Sequence, residues 1–418
     1  MIDYTQALTT LLKHTHRLPA EACALSDAIG RVTARAVISP IELPTFDHAA
    51  MDGYALSASA LLKAGTEHAV LGSQAAGDVA RQTLAEQGAV EIMTGAHLPD
   101  GLDTVVAVER TQCLGTRADG APSRIRLLDP LQTGENVRYA GSDVRRGREV
   151  MAAGTRVESA HIMLLAALGL STLELVRRPR VAIICTGKEL QADPTQPLAA
   201  GRIHNSNGPY LVAALTSAGA HVLFCETVDD TAITYADALQ RAVDAGADLV
   251  ISTGAVSMGR YDFVPDTLRR FHAELLFHKV AMRPGKPVLC ARLADGPLII
   301  ALPGTPMAVA AGLRFIVTPS LRAMIGQGEE KNLQAVLDTP QQPKAGLRHF
   351  LRARLYQGLD GYLHAVIFSQ QQPFRIHPFA EADAWVVLPE DIGECVAGAR
   401  VDVVSLDSGS MPRIGTAP

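Results

Sequence analysis

Residues 181–187 read Val181-Ala182-Ile183-Ile184-Cys185-Thr186-Gly187, and residues 248–254 echo them as Asp248-Leu249-Val250-Ile251-Ser252-Thr253-Gly254. A short apolar run closed by Thr-Gly has the length of a strand and the glycine of a tight exit turn. Runs that are apolar throughout, rather than alternating, mark strands covered on both faces. Between these two runs the pattern predicts a helix over 209–217 ended by Gly219, a strand over 222–225 and an amphipathic helix over 233–245. Beyond them it predicts a helix over 267–271, strands over 287–290 and 298–302, and a long apolar helix over 307–325. Strand and helix in alternation imply a mainly parallel sheet with helices on both faces, a three-layer α/β domain. Ligands of such sheets bind at the C-terminal ends of the strands.

Outward from this segment the pattern changes twice. Residues 43–140 give short apolar runs, such as 89–93 and 104–108, separated by Gly, Pro and Asp, which predicts strands joined by turns. Helical patterns flank them. Asp3 followed by Gln6 has the spacing of a helix cap for a helix reaching about His14, and a second helix over 159–168 ends at Gly169. Helical material on both sides predicts a β domain inserted between two halves of another, with boundaries near 40–44 and 139–147. After residues 326–330 the helical pattern stops. Residues 331–407 then show strands over 351–355, 363–368, 385–388 and 401–404, a small β-barrel or sandwich.

Composition bounds the function. The chain has 418 residues, 48% of them hydrophobic, which suits several packed domains. The net charge of −5 lacks the basic excess of a duplex nucleic-acid binder. The longest uncharged apolar stretch, residues 160–173, is shorter than the roughly 18 residues of a membrane span. No signal peptide pattern is present, and six scattered cysteines predict reduced thiols in a cytoplasmic protein.

Three loops follow strands in the α/β segment: Thr186-Gly187-Lys188-Glu189, Thr253-Gly254 with Ser257 and Gly259 beyond, and Leu302-Pro303-Gly304-Thr305-Pro306. Glycine lets backbone N–H groups approach a ligand, and N–H groups at helix starts favour anions. The sequence has no G-x-G-x-x-G dinucleotide fingerprint and no P-loop. Lys279, Arg283 and Lys286 place three cations within eight residues on a turn stiffened by Pro284 and Pro287. Arg283 suits bidentate contact with an oxyanion, while the lysines act as point charges. Glu189, Asp229 and Asp262 lie in loops that could open on one crevice. Carboxylates facing an anionic substrate fit Mg²⁺ held by one or two acids plus phosphate oxygens. The adjacent Asp230 reads as a helix N-cap for the segment beginning at Thr231.

Seven motifs in order then resemble the molybdopterin molybdenumtransferase family, to which the enzymatic C-terminal domain of gephyrin also belongs. They are A-M-D-G-Y-A ending at Ala55, M-T-G-A-x-L-P over 93–99, E-N-V-R-x-x-G-x-D over 135–143, T-G-x-E-L over 186–190, S-T-G-x-V-S-M-G-x-x-D-F over 252–263, the basic turn 279–287, and L-P-G-x-P over 302–306. The resemblance implies an elongated split domain (1–42 and 141–176), an inserted mostly-β domain (43–140), an α/β molybdopterin-binding domain (177–327) and a C-terminal small β-barrel (328–418). It implies insertion of molybdate into adenylylated molybdopterin with release of AMP, in the presence of Mg²⁺. It also implies a cytoplasmic homodimer with a shared active site, a molybdopterin adenylyltransferase as pathway partner, and no nucleic-acid or membrane partner.

Carried over motif by motif, the functional residues are Asp52, Thr94, Asp143, Glu189, Asp229, Asp262, Lys279, Arg283 and Lys286. Glu189, Asp229 and Asp262 fall around the metal. Thr186, Gly187, Ser206, Gly254, Ser257, Gly259, Pro303, Gly304 and Pro306 fall on substrate. Asp52 and Thr94 would come from the partner subunit. The chain departs from the family at His48-Ala49, at Lys188 in place of an acid, at Arg283 where lysine is usual, and at Ser369-Gln370-Gln371-Gln372-Pro373-Phe374 in place of a serine-rich loop. Two competing readings stay open: the preceding adenylylation step, and a non-catalytic pterin-binding or scaffold paralogue.

Overall fold

The computed structural model describes residues 1–58, 61–79, 88–191, 193–256 and 263–416, and the elements below are those of the described residues. The two quoted runs become neighbouring strands, Arg180–Thr186 and Leu249–Thr253, at the centre of a six-stranded sheet. The order is His221–Val228, Arg180–Thr186, Leu249–Thr253, Leu298–Leu302, Leu289–Arg292, Glu274–His278. The first four strands are parallel, and the last two each pair antiparallel with their neighbour. The strand predicted over 287–290 forms as Leu289–Arg292, while the edge strand Glu274–His278 has no apolar alternation to mark it in the sequence.

Period-two alternation distributes the side chains between two layers. Val181, Ile183, Leu249, Ile251, Leu298 and Ile300 pack with Leu211, Leu215 and the helix over Pro306–Met324 on one face. Ala182, Ile184, Val250, Ile299 and Ala301 pack with Tyr235, Leu239 and Leu268 on the other. Helix Tyr4–Lys13 is capped as expected, since the Asp3 carboxylate accepts the Gln6 N–H at 2.7 Å. Its placement differs from the grouping of residues 1–42 with the split domain. Tyr4, Ala7 and Leu11 lie on one helical stripe and are buried in the α/β core.

Pro306–Met324 is long and apolar enough to cross a membrane by length and composition, yet 83% of its most apolar window is buried inside the protein. Residues Leu313–Val317 form a widened π-turn within it. Pro319 explains the irregularity, because it has no N–H to give the turn before it. The Phe315 carbonyl, four residues earlier, instead accepts the Tyr4 hydroxyl at 2.9 Å.

The N-terminal part is a mostly-β unit set between two chain halves. Strands Thr104–Ala107, Gly53–Leu56, Gly88–Ile92, Glu67–Gln74, Pro122–Leu127 and Thr111–Thr116 form one sheet in that order. The flanking halves meet where Ala20–Ala24 pairs antiparallel with Thr172–Val176 and Val37–Ile38 with Glu149–Met151. Helix Ser159–Ala167 ends at Gly169 (φ 73°), as its sequence predicts. At the other end of the chain, Leu333–Leu337, Arg348–Gln357, Leu363–Ile367, Ala384–Leu388 and Arg400–Ser405 close into a five-stranded barrel. Closure leaves no unpaired edge, and Leu337, Leu355, Val386, Leu388 and Val403 fill the interior.

One ion pair fastens the α/β layer to the strand preceding it. Arg177 grips Asp248 with two N–H groups at 2.7 and 2.9 Å, and the same carboxylate accepts the Arg180 N–H at 2.7 Å. Both side chains are largely buried. Asp248→Ala is expected to cost about 2–3 kcal/mol in denaturant unfolding, because it leaves the Arg177 guanidinium without its carboxylate and the Arg180 N–H without an acceptor. Replacing both partners by apolar residues should cost less.

Candidate functional site

The chain leaves strand Arg180–Thr186 for one side of the sheet and returns to form Leu249–Thr253 on the other. The strand order therefore reverses between these two, which makes the gap beyond their C-terminal ends a crevice. A cavity of about 460 Å³ opens there. Eight residues expected to carry substrate or metal line it: Thr186, Gly187, Glu189, Ser206, Gly254, Pro303, Gly304 and Pro306.

The loops are tied to one another rather than free. The Thr186 hydroxyl donates to the Thr253 carbonyl at 3.0 Å, joining the two strand ends. The Gly254 N–H donates to the Leu302 carbonyl at 3.0 Å. Asn207 Nδ2 donates to the Gly304 carbonyl at 2.8 Å, so helix Asn207–Ser217 and the Pro303–Pro306 loop are joined across the cavity. Gly254 has φ +94° and Ala255 φ +47°, two successive residues in the left-handed region. Such backbone costs about 1–3 kcal/mol for a non-glycine residue and persists only where its surroundings impose it.

Two carboxylates face this cavity. Glu189 folds back over Gly187, where an added Cβ would meet both of its carboxylate oxygens at 3.0 Å. Asp230 accepts the Lys188 N–H at 3.2 Å. The expectation for Asp230 is corrected here: Thr231 is the N-cap of helix Ala232–Asp244, its hydroxyl accepting the Thr234 N–H at 3.2 Å. Threonine is itself a good cap, which frees the preceding acid for the cavity wall. Asp229 is exposed and is not among the residues lining the cavity, and its backbone carbonyl accepts the Thr231 N–H at 2.7 Å. Asp262, Ser257 and Gly259 lie outside the described residues.

Among the described lining residues there is no Lys or Arg. The basic turn lies behind one wall. His278 holds the Val256 carbonyl at 2.8 Å, and Lys279 follows it with φ +70°. Arg283 and Lys286 are exposed and Lys279 is half-buried; among the described residues no ion pair involves any of the three. The structure does not bring them into the cavity of the same chain.

Asp52 and Thr94 are brought together elsewhere, at adjacent strand ends of the inserted sheet. Asp52 accepts the Thr94 N–H at 2.7 Å and its hydroxyl at 2.8 Å. The backbone N–H first, and the hydroxyl second, hold the Asp52 carboxyl below the usual carboxylate range. A lowered folded-state value means that the pair stabilises the loop above that range and loses its effect as pH falls through it. Thr94→Val should raise the Asp52 pKa without restoring the ordinary value, because the N–H contact remains; carboxyl NMR titration reads the shift. Asp143 is exposed near the inserted unit's boundary, and its N–H donates to the Leu43 carbonyl at 3.0 Å.

His204, Asn207, Asp230 and Thr305 also line the cavity and escaped sequence reasoning. The polar run His204-Asn205-Ser206-Asn207 ahead of an apolar helix is the signal that could have revealed the second of these.

Crossed-over parallel strands, glycine loops at a switch point and two carboxylates define an α/β protein whose cavity suits a phosphate-bearing ligand. Comparison with known families is consistent along most of the chain. Residues 2–169 match the model of the MoeA N-terminal region (domain I and II), 182–323 that of a probable molybdopterin binding domain, and 334–406 that of the MoeA C-terminal region (domain IV). A molybdopterin molybdenumtransferase of Synechococcus elongatus is 31% identical over 97% of this chain and 100% of its own. Molybdopterin molybdenumtransferase 2 of Mycobacterium tuberculosis is 35% identical over 91% of this chain and 94% of its own. The crystal structure of the molybdopterin biosynthesis moeA protein from Pyrococcus horikoshii superposes with a TM-score of 0.80 at 25% identity, covering 96% of this chain and 99% of that one. The chain belongs to the molybdopterin molybdenumtransferase family.

Proposed function

We propose that this chain is the transferase that inserts molybdate into adenylylated molybdopterin, releasing AMP and giving molybdenum cofactor. The carrying observation is the cavity at the switch point, where Thr186-Gly187, Thr253-Gly254 and Pro303-Gly304 present backbone to one volume beside Glu189 and Asp230. The glycine loops hold the pyrophosphate of the adenylylated substrate through close backbone approach. Thr305 and Pro306, at a helix start, border the same volume.

The donor set fits Mg²⁺, which is commonly bound by one or two carboxylates with the remaining positions left to phosphate oxygens and water. Glu189 and Asp230 are those carboxylates, with Asp229 and Asp262 as further acids of the neighbouring loops. When bound, the ion would offset carboxylate charge and polarise the phosphoryl group being cleaved. Among the described residues no group of three or more His, Cys, Asp or Glu is arranged to hold a metal without a ligand.

Molybdate is an oxyanion and needs cations, and the described lining residues include no Lys or Arg. Lys279, Arg283 and Lys286 follow closely on His278, which holds the carbonyl of the lining residue Val256 at 2.8 Å, and among the described residues no ion pair engages them. In a homodimer with a shared site, the Asp52–Thr94 loop of one protomer closes over the cavity of the other. The substrate would come from a molybdopterin adenylyltransferase, and the assembly would work in the cytoplasm.

Molybdate-dependent release of AMP from adenylylated molybdopterin tests the reading. Absence of release with retained pterin binding would sink it in favour of a binding or scaffold protein. Accumulation of adenylylated molybdopterin from molybdopterin and ATP would favour the preceding step.

A further inference from the structure

Segment 369–375, which follows strand Leu363–Ile367 of the barrel, is held from below by one arginine. Arg352, on the barrel strand Arg348–Gln357, is 1% exposed. Its Nη1 donates to the Arg375 carbonyl at 2.6 Å and its Nη2 to the Gln370 carbonyl at 2.6 Å. Its Nε and its backbone N–H both donate to Gln371 Oε1, at 3.3 and 3.2 Å. Gln371 answers through Nε2, which donates to the carbonyls of Arg352 (3.0 Å) and Phe368 (2.9 Å). Every guanidinium nitrogen is thus engaged by this one segment. Among the described residues no carboxylate pairs with it.

The clasped segment and the short helix after it, His377–Ala380, each reach the α/β layer at one point. The Pro373 carbonyl accepts the Met307 N–H at 3.0 Å, one residue beyond the cavity-lining Pro306. A few residues on, the Phe379 ring meets Tyr210 edge-on at 5.8 Å between centroids and packs on Trp385 of the barrel at 5.5 Å. Tyr210 lies in the first turn of helix Asn207–Ser217, whose first residue also lines the cavity. The barrel therefore touches both helix starts that wall the site, and Asn207 and Gly304 bond across between them.

We propose that Arg352 and Gln371 are positioning residues that clasp segment 369–375 so that the barrel fixes the spacing of the two helix starts around the cavity. The functional part rests on the transferase reading of that cavity; the clasp itself does not. An arginine with each nitrogen spent on loop carbonyls and a glutamine is a brace, not a ligand for a bound oxyanion.

The test compares Gln371→Ala, Arg352→Met and the neighbouring Gln372→Ala by two readouts. The first is hydrogen exchange at the Met307 amide; the second is KM and kcat for AMP release. Gln371→Ala should speed Met307 exchange and raise KM for adenylylated molybdopterin, each by about tenfold, with kcat within about threefold of wild type, the scale of losing one or two ordering hydrogen bonds. Gln371→Glu keeps the acceptor and loses the donor, so it should fall between the two. Gln372→Ala should behave as wild type. The proposal is overturned if Gln371→Ala leaves both readouts unchanged. It is equally overturned if Arg352→Met raises only the molybdate KM while Met307 stays protected, since the arginine would then touch the oxyanion itself. A wild-type protein without AMP release would sink the transferase reading, while Met307 exchange would still decide the clasp.

Discussion

Glu189→Gln is expected to slow molybdate-dependent AMP release by about 10²–10³-fold, the scale of losing one preorganised charged group at a reacting phosphoryl centre. The substitution keeps the side-chain volume and removes only the charge. Glu189 is exposed at the cavity mouth, so the fold should be unaffected. Asp230→Asn should act in the same direction, with an added effect on loop order because its carboxylate accepts the Lys188 N–H. Asp229→Asn should cost less than either, since Asp229 does not line the cavity of its own chain. Steady-state kinetics across a Mg²⁺ titration separates the causes. A metal-holding role predicts that raised Mg²⁺ partly restores Glu189→Gln, whereas a purely structural role predicts no response. Unchanged turnover in both Glu189→Gln and Asp230→Asn would remove the metal assignment.

Three central strands, Arg180–Thr186, Leu249–Thr253 and Leu298–Leu302, were readable from the sequence because they are buried almost throughout and each runs into a glycine turn. Those two signals are local. The antiparallel edge was not readable: Glu274–His278 has polar ends, and its partner lies across a turn whose backbone at Lys279 is left-handed. Strand Leu333–Leu337 escaped for a related reason, being a five-residue run whose partners, Leu363–Ile367 and Arg400–Ser405, come later in the chain. In the site, the glycine and proline positions were readable because their conformation is written in residue type. Asp230 was lost to a choice between two adjacent capping residues, which the helix start at Ala232 resolves in favour of Thr231. The Arg352 clasp could not be read at all. Its acceptors are backbone carbonyls and one amide in an irregular segment, and carbonyls carry no sequence signal.

Gly254→Ala should be among the most damaging single substitutions in the α/β layer. A Cβ there would sit 2.5 Å from Thr186 Oγ1 and 2.7 Å from the Thr186 carbonyl oxygen. The first atom could rotate away, but only by giving up its bond to the Thr253 carbonyl, which joins the two switch-point strands. The second is backbone and cannot yield without moving strand Arg180–Thr186. The residue's φ of +94° adds strain of its own for any side chain, on the order of 1–2 kcal/mol. Together, overlap and strain predict a loss of about 3 kcal/mol or more in unfolding free energy. The loop that would hold substrate phosphate should be displaced as well. Turnover should therefore fall further than the folded fraction does, and comparing AMP release with the fraction folded by circular dichroism at one temperature separates the two. Gly304→Ala supplies the contrast at the same cavity. An added Cβ there meets only Gly254 atoms, the nearest at 3.5 Å, and Gly304 is not among the positive-φ glycines. It should fold as wild type, so any loss of turnover in Gly304→Ala reports on substrate approach alone. Equal stability in the two variants would show that the Thr186–Gly254 contact does not constrain the strand ends.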